Sequence, residues 1–206
     1  MTSPGQRTDL LATARHLALF TVVYNLAEGG VTIGAGIIAN SGALVGFGLD
    51  SGIESLSAVV LLWRLGAELR DPERAEQVER VAERAIGVTF LVLGVYVAVD
   101  AIGALVDGDR PASSPVGLAV TVASLVVMPL LARRKRDVGD RLDSGAVRAD
   151  AAQTVACVWL SGVVLIGLGL NTALGWWWAD PVAALGVVLL LLDEGREALA
   201  GDGNAR

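Results

Sequence analysis

The sequence has little of what soluble catalysis and oxidised folds draw on. Cys157 is the only cysteine among 206 residues, so no intramolecular disulfide can form and nothing marks an oxidised secreted fold. No paired nucleophile and base and no phosphate-binding loop can be found, which argues against an enzyme. Charged residues make up only 18% of the chain. Hydrophobic residues reach 53%, with a mean hydropathy of +0.58, far above an ordinary soluble domain.

Apolar runs of about 20 residues, enough to cross a hydrocarbon core of roughly 30 Å, fall at about 14–39, 42–66, 84–106, 115–132, 145–171 and 176–192. The segments outside them are short: two tails and charged linkers near 67–83 and 133–148. The expectation is an all-α membrane protein, one domain spanning 1–206 with six transmembrane helices and no soluble domain. The first apolar run follows Arg7 and Arg15, as a signal peptide would, but it is too long for a signal h-region and leads straight into a second span.

Basic residues are distributed unevenly. Fifteen of the sixteen lie in the N-terminal tail, around the 67–83 linker, in or beside the 133–148 linker, or after the last span, and only Arg110 lies on the other side. By the positive-inside rule both termini are cytoplasmic, in the cell membrane. The Arg133–Arg136 cluster reads as a topogenic signal with anionic lipid contact second, and no nucleic acid partner is expected.

The outer links "ANSG" and "NTALG" are short enough to force antiparallel hairpins. Pro115 suits the first turn of the fourth helix, and Asp71 before Pro72 reads as an N-cap for the third. "GWWWADP" sets three tryptophans at the outer end of the sixth, where amphipathic rings favour the interface. Gly30 with Gly34, Gly42 with Gly46, and Gly48 with Gly52 are small residues four apart, the spacing of close helix packing.

Asp50 and Glu54 interrupt the second apolar run. A carboxylate at the centre of a spanning helix costs about 2.5–3.5 kcal/mol on insertion scales, and four residues apart the two share one helical face. By a rise of about 1.5 Å per residue, Asp50 and Glu54 bracket the midplane and Glu28 of the first helix reaches the level of Asp50. Asn25, one turn below Glu28, can add a neutral oxygen. The fifth helix offers Gln153 and Cys157, again four apart. Carboxylates, amides and a thiol are the donors of a divalent cation site, and the sulfur tilts it toward zinc. Asp150, close to Arg148, reads as an interfacial charge ahead of a ligand. Asp180 reads as a cap or, with Asp100, as part of an exit path, and His16 as interfacial. No basic residue is expected at mid-depth to neutralise Asp50 and Glu54.

This pattern resembles the transmembrane domain of the cation diffusion facilitator family over about residues 14–199. The resemblance is carried by "GFGLDSGIES" on the second helix, "VRADAAQT" on the fifth and "WADPVAAL" opening the sixth. It implies that Asp50 and Glu54 correspond to the family's helix-two metal pair, with glutamate in place of aspartate. Gln153 and Cys157 then stand where the family has His and Asp. "YNLAEGG", with Glu28, looks like a short subgroup without the cytoplasmic domain, and any homodimer would form through the helices. The implied function is proton-coupled efflux of a divalent cation, zinc first, with the metal as cargo and no prosthetic group. A carboxyl taken out of water favours its neutral form, so an arriving dication must displace protons. The competing expectations are a non-transporting metal sensor or scaffold, and a proton-coupled carrier of a small organic solute.

Overall fold

Turn chemistry sets the architecture. The computed structural model describes residues 4–67, 72–108 and 110–200, in six helices: α1 (Pro4–Ala39), α2 (Gly42–Ala67), α3 (Pro72–Asp107), α4 (Pro115–Leu142), α5 (Gly145–Leu174) and α6 (Ala179–Ala200). Only Asn40 and Ser41 separate α1 from α2. Asn40 takes a left-handed φ of 52°, which asparagine tolerates, and the Ser41 amide donates back to Gly36 O at 2.9 Å. The Ser41 hydroxyl then accepts from Leu44 N at 3.2 Å and caps α2. Ser114 does the same for α4 by accepting from Gly117 N at 3.1 Å, with Pro115 in the first turn. These are the first hairpin and the proline start that the sequence predicts; of the other expected link, "NTALG", residues 171–174 lie within α5 instead.

Some boundaries differ from expectation. The stretch 133–148 is not a linker: α4 continues through the basic cluster to Leu142, and only Asp143 and Ser144 separate it from α5. Hydropathy ends a span at the first charges, whereas the helix ends only where Asp143 turns left-handed, at φ 51°. α1 begins at Pro4 for the same reason, whereas α3 begins at Pro72, the first helical position that the sequence predicts; the proposed cap Asp71 lies outside the described residues. α6 begins at Ala179 rather than 176, because Gly175 ends α5 with a φ of 67° and Trp176–Trp178 form the turn. Trp176 and Trp178 stack there with ring centroids 5.2 Å apart.

Five described helices are long and apolar enough to cross a membrane, within Gln6–Ala39, Gly42–Gly66, Phe90–Asp107, Pro115–Leu142 and Gly145–Leu174. α6 has a shorter apolar stretch between Asp180 and Asp193 and completes the bundle by packing on α3 and α5. The chain is a multi-pass membrane protein.

α2 is central and touches α1, α3, α5 and α6. Its closest neighbour is α1, and the approach is made by glycines in a different register from the expected pairs. A Cβ on Gly48 would lie 2.5 Å from Thr32 Oγ1 and 2.9 Å from Gly29 O, and one on Gly29 would lie 2.7 Å from Gly48 O. By contrast, Gly30, Gly34 and Gly52 have open space beside them.

Two apolar clusters fill the bundle. The larger holds Leu44, Phe47, Val97, Met128, Leu168 and Val187; the smaller, toward the Leu142–Val147 end, holds Ala14, Leu61, Leu65, Val138, Leu142 and Val147. Leu131 belongs to the first and Val138 to the second, while Ile53 and Leu61 divide in the same way on α2. Between them lies a polar layer.

Candidate cation site

The layer is built from the inward seams of four helices. On α1 the buried positions Thr21, Asn25, Glu28 and Thr32 recur at helical spacing. α2 contributes Asp50, Ser51, Glu54 and Ser55, all buried. On α5 the seam runs Asp150, Thr154, Cys157, Ser161, and on α4 it runs Met128, Leu131, Lys135, Val138, Leu142.

Glu54 lies at the centre, 1% exposed. Its Oε1 accepts from Thr154 Oγ1 at 2.7 Å and stands 3.9 Å from Lys135 Nζ. Lys135 in turn donates to Thr154 Oγ1 at 2.8 Å and pairs with Asp150 Oδ2 at 2.8 Å. Glu28 accepts from Ser51 Oγ at 3.0 Å through Oε2, with Tyr24 and Ser124 beside it. Asn25 lies beside Glu54. Cys157, fully enclosed, has Glu54, Asp50 and Glu28 as its charged neighbours.

Thus Asp50, Glu54, Glu28, Asn25 and Cys157, named from spacing alone, occupy one region. Several of their polar atoms are buried with no hydrogen-bond partner: both amide atoms of Asn25, Glu28 Oε1, Glu54 Oε2 and Asp150 Oδ1. Buried polar groups are nearly always paired, so this layer has room for further polar contacts. Among the described residues no three Asp, Glu, Cys or His side chains form a ready metal cluster. A cation held here would draw them together.

Three expectations are corrected. Asp150 is not an interfacial charge: it is 4% exposed and paired with Lys135, while Arg148 turns outward to Asp143 at 3.3 Å. A basic residue does reach the acids, because Lys135 is 1% exposed whereas Arg133, Arg134 and Arg136 on the same turn are exposed. The signal was in the sequence, since Lys135 falls at i+4 from Leu131 and i+7 from Met128, the spacing of a core-facing seam. Gln153 is only half-buried, about 100° around the helix from Thr154, so Thr154 lines the layer in its place.

A cavity of about 230 Å³ opens at the other end of the bundle, lined by Asn40, Ser41, Tyr96, Asp100, Pro111 and Asp180 among others. Asp180 lies inside the first turn of α6 and does not cap it; its Oδ1 accepts from Ser41 Oγ at 2.6 Å. Asp100 presses against Gly42. Both carboxylates therefore stand at the N-terminus of α2, where the helix dipole favours negative charge. His16 is exposed.

Comparison with known proteins identifies the family. The model of the cation efflux transmembrane domain matches residues 18–200. An uncharacterized transporter of Synechocystis is 28% identical over 191 residues, covering 90% of this chain and 62% of that protein. The magnetosome protein MamB of Magnetospira is 24% identical over 167 residues, 79% of this chain and 57% of its own length. The cation-efflux pump FieF of Salmonella typhi is 39% identical over 83 residues, 40% of this chain and 28% of that pump. The chain thus spans less than two thirds of each of these relatives. With a matched region that runs through every helix and takes in the whole polar layer, the chain belongs to the cation efflux family.

Proposed function

We propose that this bundle exports a divalent metal cation in exchange for protons, zinc before other transition metals. The observation that carries the reading is the cluster of buried carboxylates Asp50, Glu54 and Glu28 beside the thiol of Cys157, with Asn25 next to Glu54. Carboxylate, amide and thiol donors together suit a borderline-soft dication better than magnesium or calcium. Asp50 and Glu54 supply the charge, Glu28 a third carboxylate from the neighbouring helix, and Cys157 the soft ligand. FieF is named as a cation-efflux pump, which supports the direction of transport.

The chemistry of the site gives the exchange. Carboxyl groups enclosed in a bundle have no water to share a charge with; protons and a dication therefore alternate on the same oxygens. The cation enters from the cytoplasm and leaves by the cavity lined by Asp100 and Asp180.

Reconstituted protein tests this. Liposomes loaded with Zn²⁺ and placed in more acidic buffer have an inward proton gradient, and should release Zn²⁺ while their lumen acidifies. Collapsing the gradient with a protonophore should slow release, and Asp50→Ala should abolish it in a protein that still folds. Release that ignores both the gradient and Asp50→Ala would remove the proposal.

A further inference from the structure

Lys135 and its partner Asp150 are charged side chains of the polar layer that the exchange described above does not use. The Lys135 ammonium is buried on a seam between Leu131 and Val138, and a charge so placed is stable only when paired. Its partners are held unequally. Asp150 Oδ2 is at 2.8 Å and Thr154 Oγ1 at 2.8 Å, whereas Glu54 Oε1 is at 3.9 Å with the Thr154 hydroxyl bridging the gap. Glu54 keeps its second oxygen unpartnered. The ammonium is thus anchored to Asp150 and only leans on Glu54.

We propose that Lys135 is a tethered counter-cation of the transport site, one that balances Glu54 once its proton has left and yields it to an arriving dication. The proposal rests on the cation reading above and assigns a residue to it. At equal distance and in the same surroundings, a doubly charged ion attracts a carboxylate twice as strongly as an ammonium does. A monovalent ion gains no such advantage, so Lys135 selects for divalent cargo. The Asp150 carboxylate then keeps the ammonium paired after Glu54 has turned away, which spares the bundle an isolated buried charge.

Equilibrium binding of Co²⁺ to the purified full chain, read by its visible absorption and reversed by Zn²⁺, tests the assignment. Lys135→Met removes the competitor and should bind Co²⁺ about tenfold more tightly, one charge's worth of affinity. Because that variant leaves Asp150 uncompensated, the double variant Lys135→Met/Asp150→Asn removes both charges and should also bind more tightly than the parent. Asp150→Asn alone frees the ammonium for Glu54 and should bind more weakly. A pair that served only to hold the fold would give weaker or equal binding in every variant. Equal or weaker binding by a folded double variant therefore overturns the role of Lys135 while leaving the cation site standing. Absence of Co²⁺ binding in the parent and in every variant overturns both.

Discussion

The acids of this site were legible because charge in an apolar run is conspicuous, whereas Lys135 was hidden by its company. Asp50 and Glu54 interrupt a stretch with nothing else to attract attention, so depth and spacing alone bring them to one face. Lys135 stands between Arg134 and Arg136, and a hydropathy window reads all three as the end of a span. Only the seam position separates it from them, and Asp150 was misread in turn because its partner was unseen. Thr154 connects the two. Its hydroxyl accepts from Lys135 at 2.8 Å and donates to Glu54 at 2.7 Å, so Thr154→Val keeps the shape and leaves two buried charged groups each one partner short. Stranding such groups costs about 1–3 kcal/mol. Thr154→Val should lower the unfolding free energy in detergent by that amount, and Thr154→Ser, which keeps the hydroxyl, by clearly less. Equal losses in the two would show that the methyl group matters and the hydroxyl does not.

At the scale of the helix, small-residue spacing reports that two helices approach closely without saying which glycines touch. α1 and α2 are each rich in glycine, and several four-residue registers compete on paper. The contact is decided by which seam faces inward. Glu28 and Thr32 turn α1 so that Gly29 and Gly36 meet α2, while Gly30 is exposed. Gly48→Ala puts a methyl group against Thr32 Oγ1, Ile33 and Gly29 O, two side chains and a backbone oxygen, and overpacking of that kind costs about 1–3 kcal/mol. Gly30→Ala meets nothing within 4 Å and gains up to about 1 kcal/mol of helix propensity. The first should unfold at a lower temperature than the parent and the second at the same or a higher one. The Gly48→Ala loss should also reach the site, because Ser51, one turn away, holds Glu28.

For the whole molecule, the number and order of the helices follow from run lengths, whereas the packing of α3 on α6 and of α1 on α4 joins helices that no turn connects. Helix ends beyond the hydrocarbon are a different matter, because charged residues can continue a helix that hydropathy has stopped counting. The orientation of the bundle rests on charge asymmetry alone and leads to a direct measurement. α4 spans Pro115–Leu142, about 40 Å by helical rise, more than the roughly 30 Å of a hydrocarbon core, so its two ends emerge on opposite sides. Arg133, Arg134, Arg136 and Arg141 gather at one end and Arg110 precedes the other. Withdrawing Lys135 into the bundle leaves that bias intact. In a Cys157→Ser background, Ser113→Cys and Asp140→Cys place single thiols at exposed positions near the two ends. A membrane-impermeant thiol reagent added to intact cells should label Ser113→Cys and spare Asp140→Cys, and inverted vesicles should reverse the result. The opposite labelling would turn the bundle over, set the Asp100 and Asp180 cavity facing the cytoplasm, and make the same exchange an uptake.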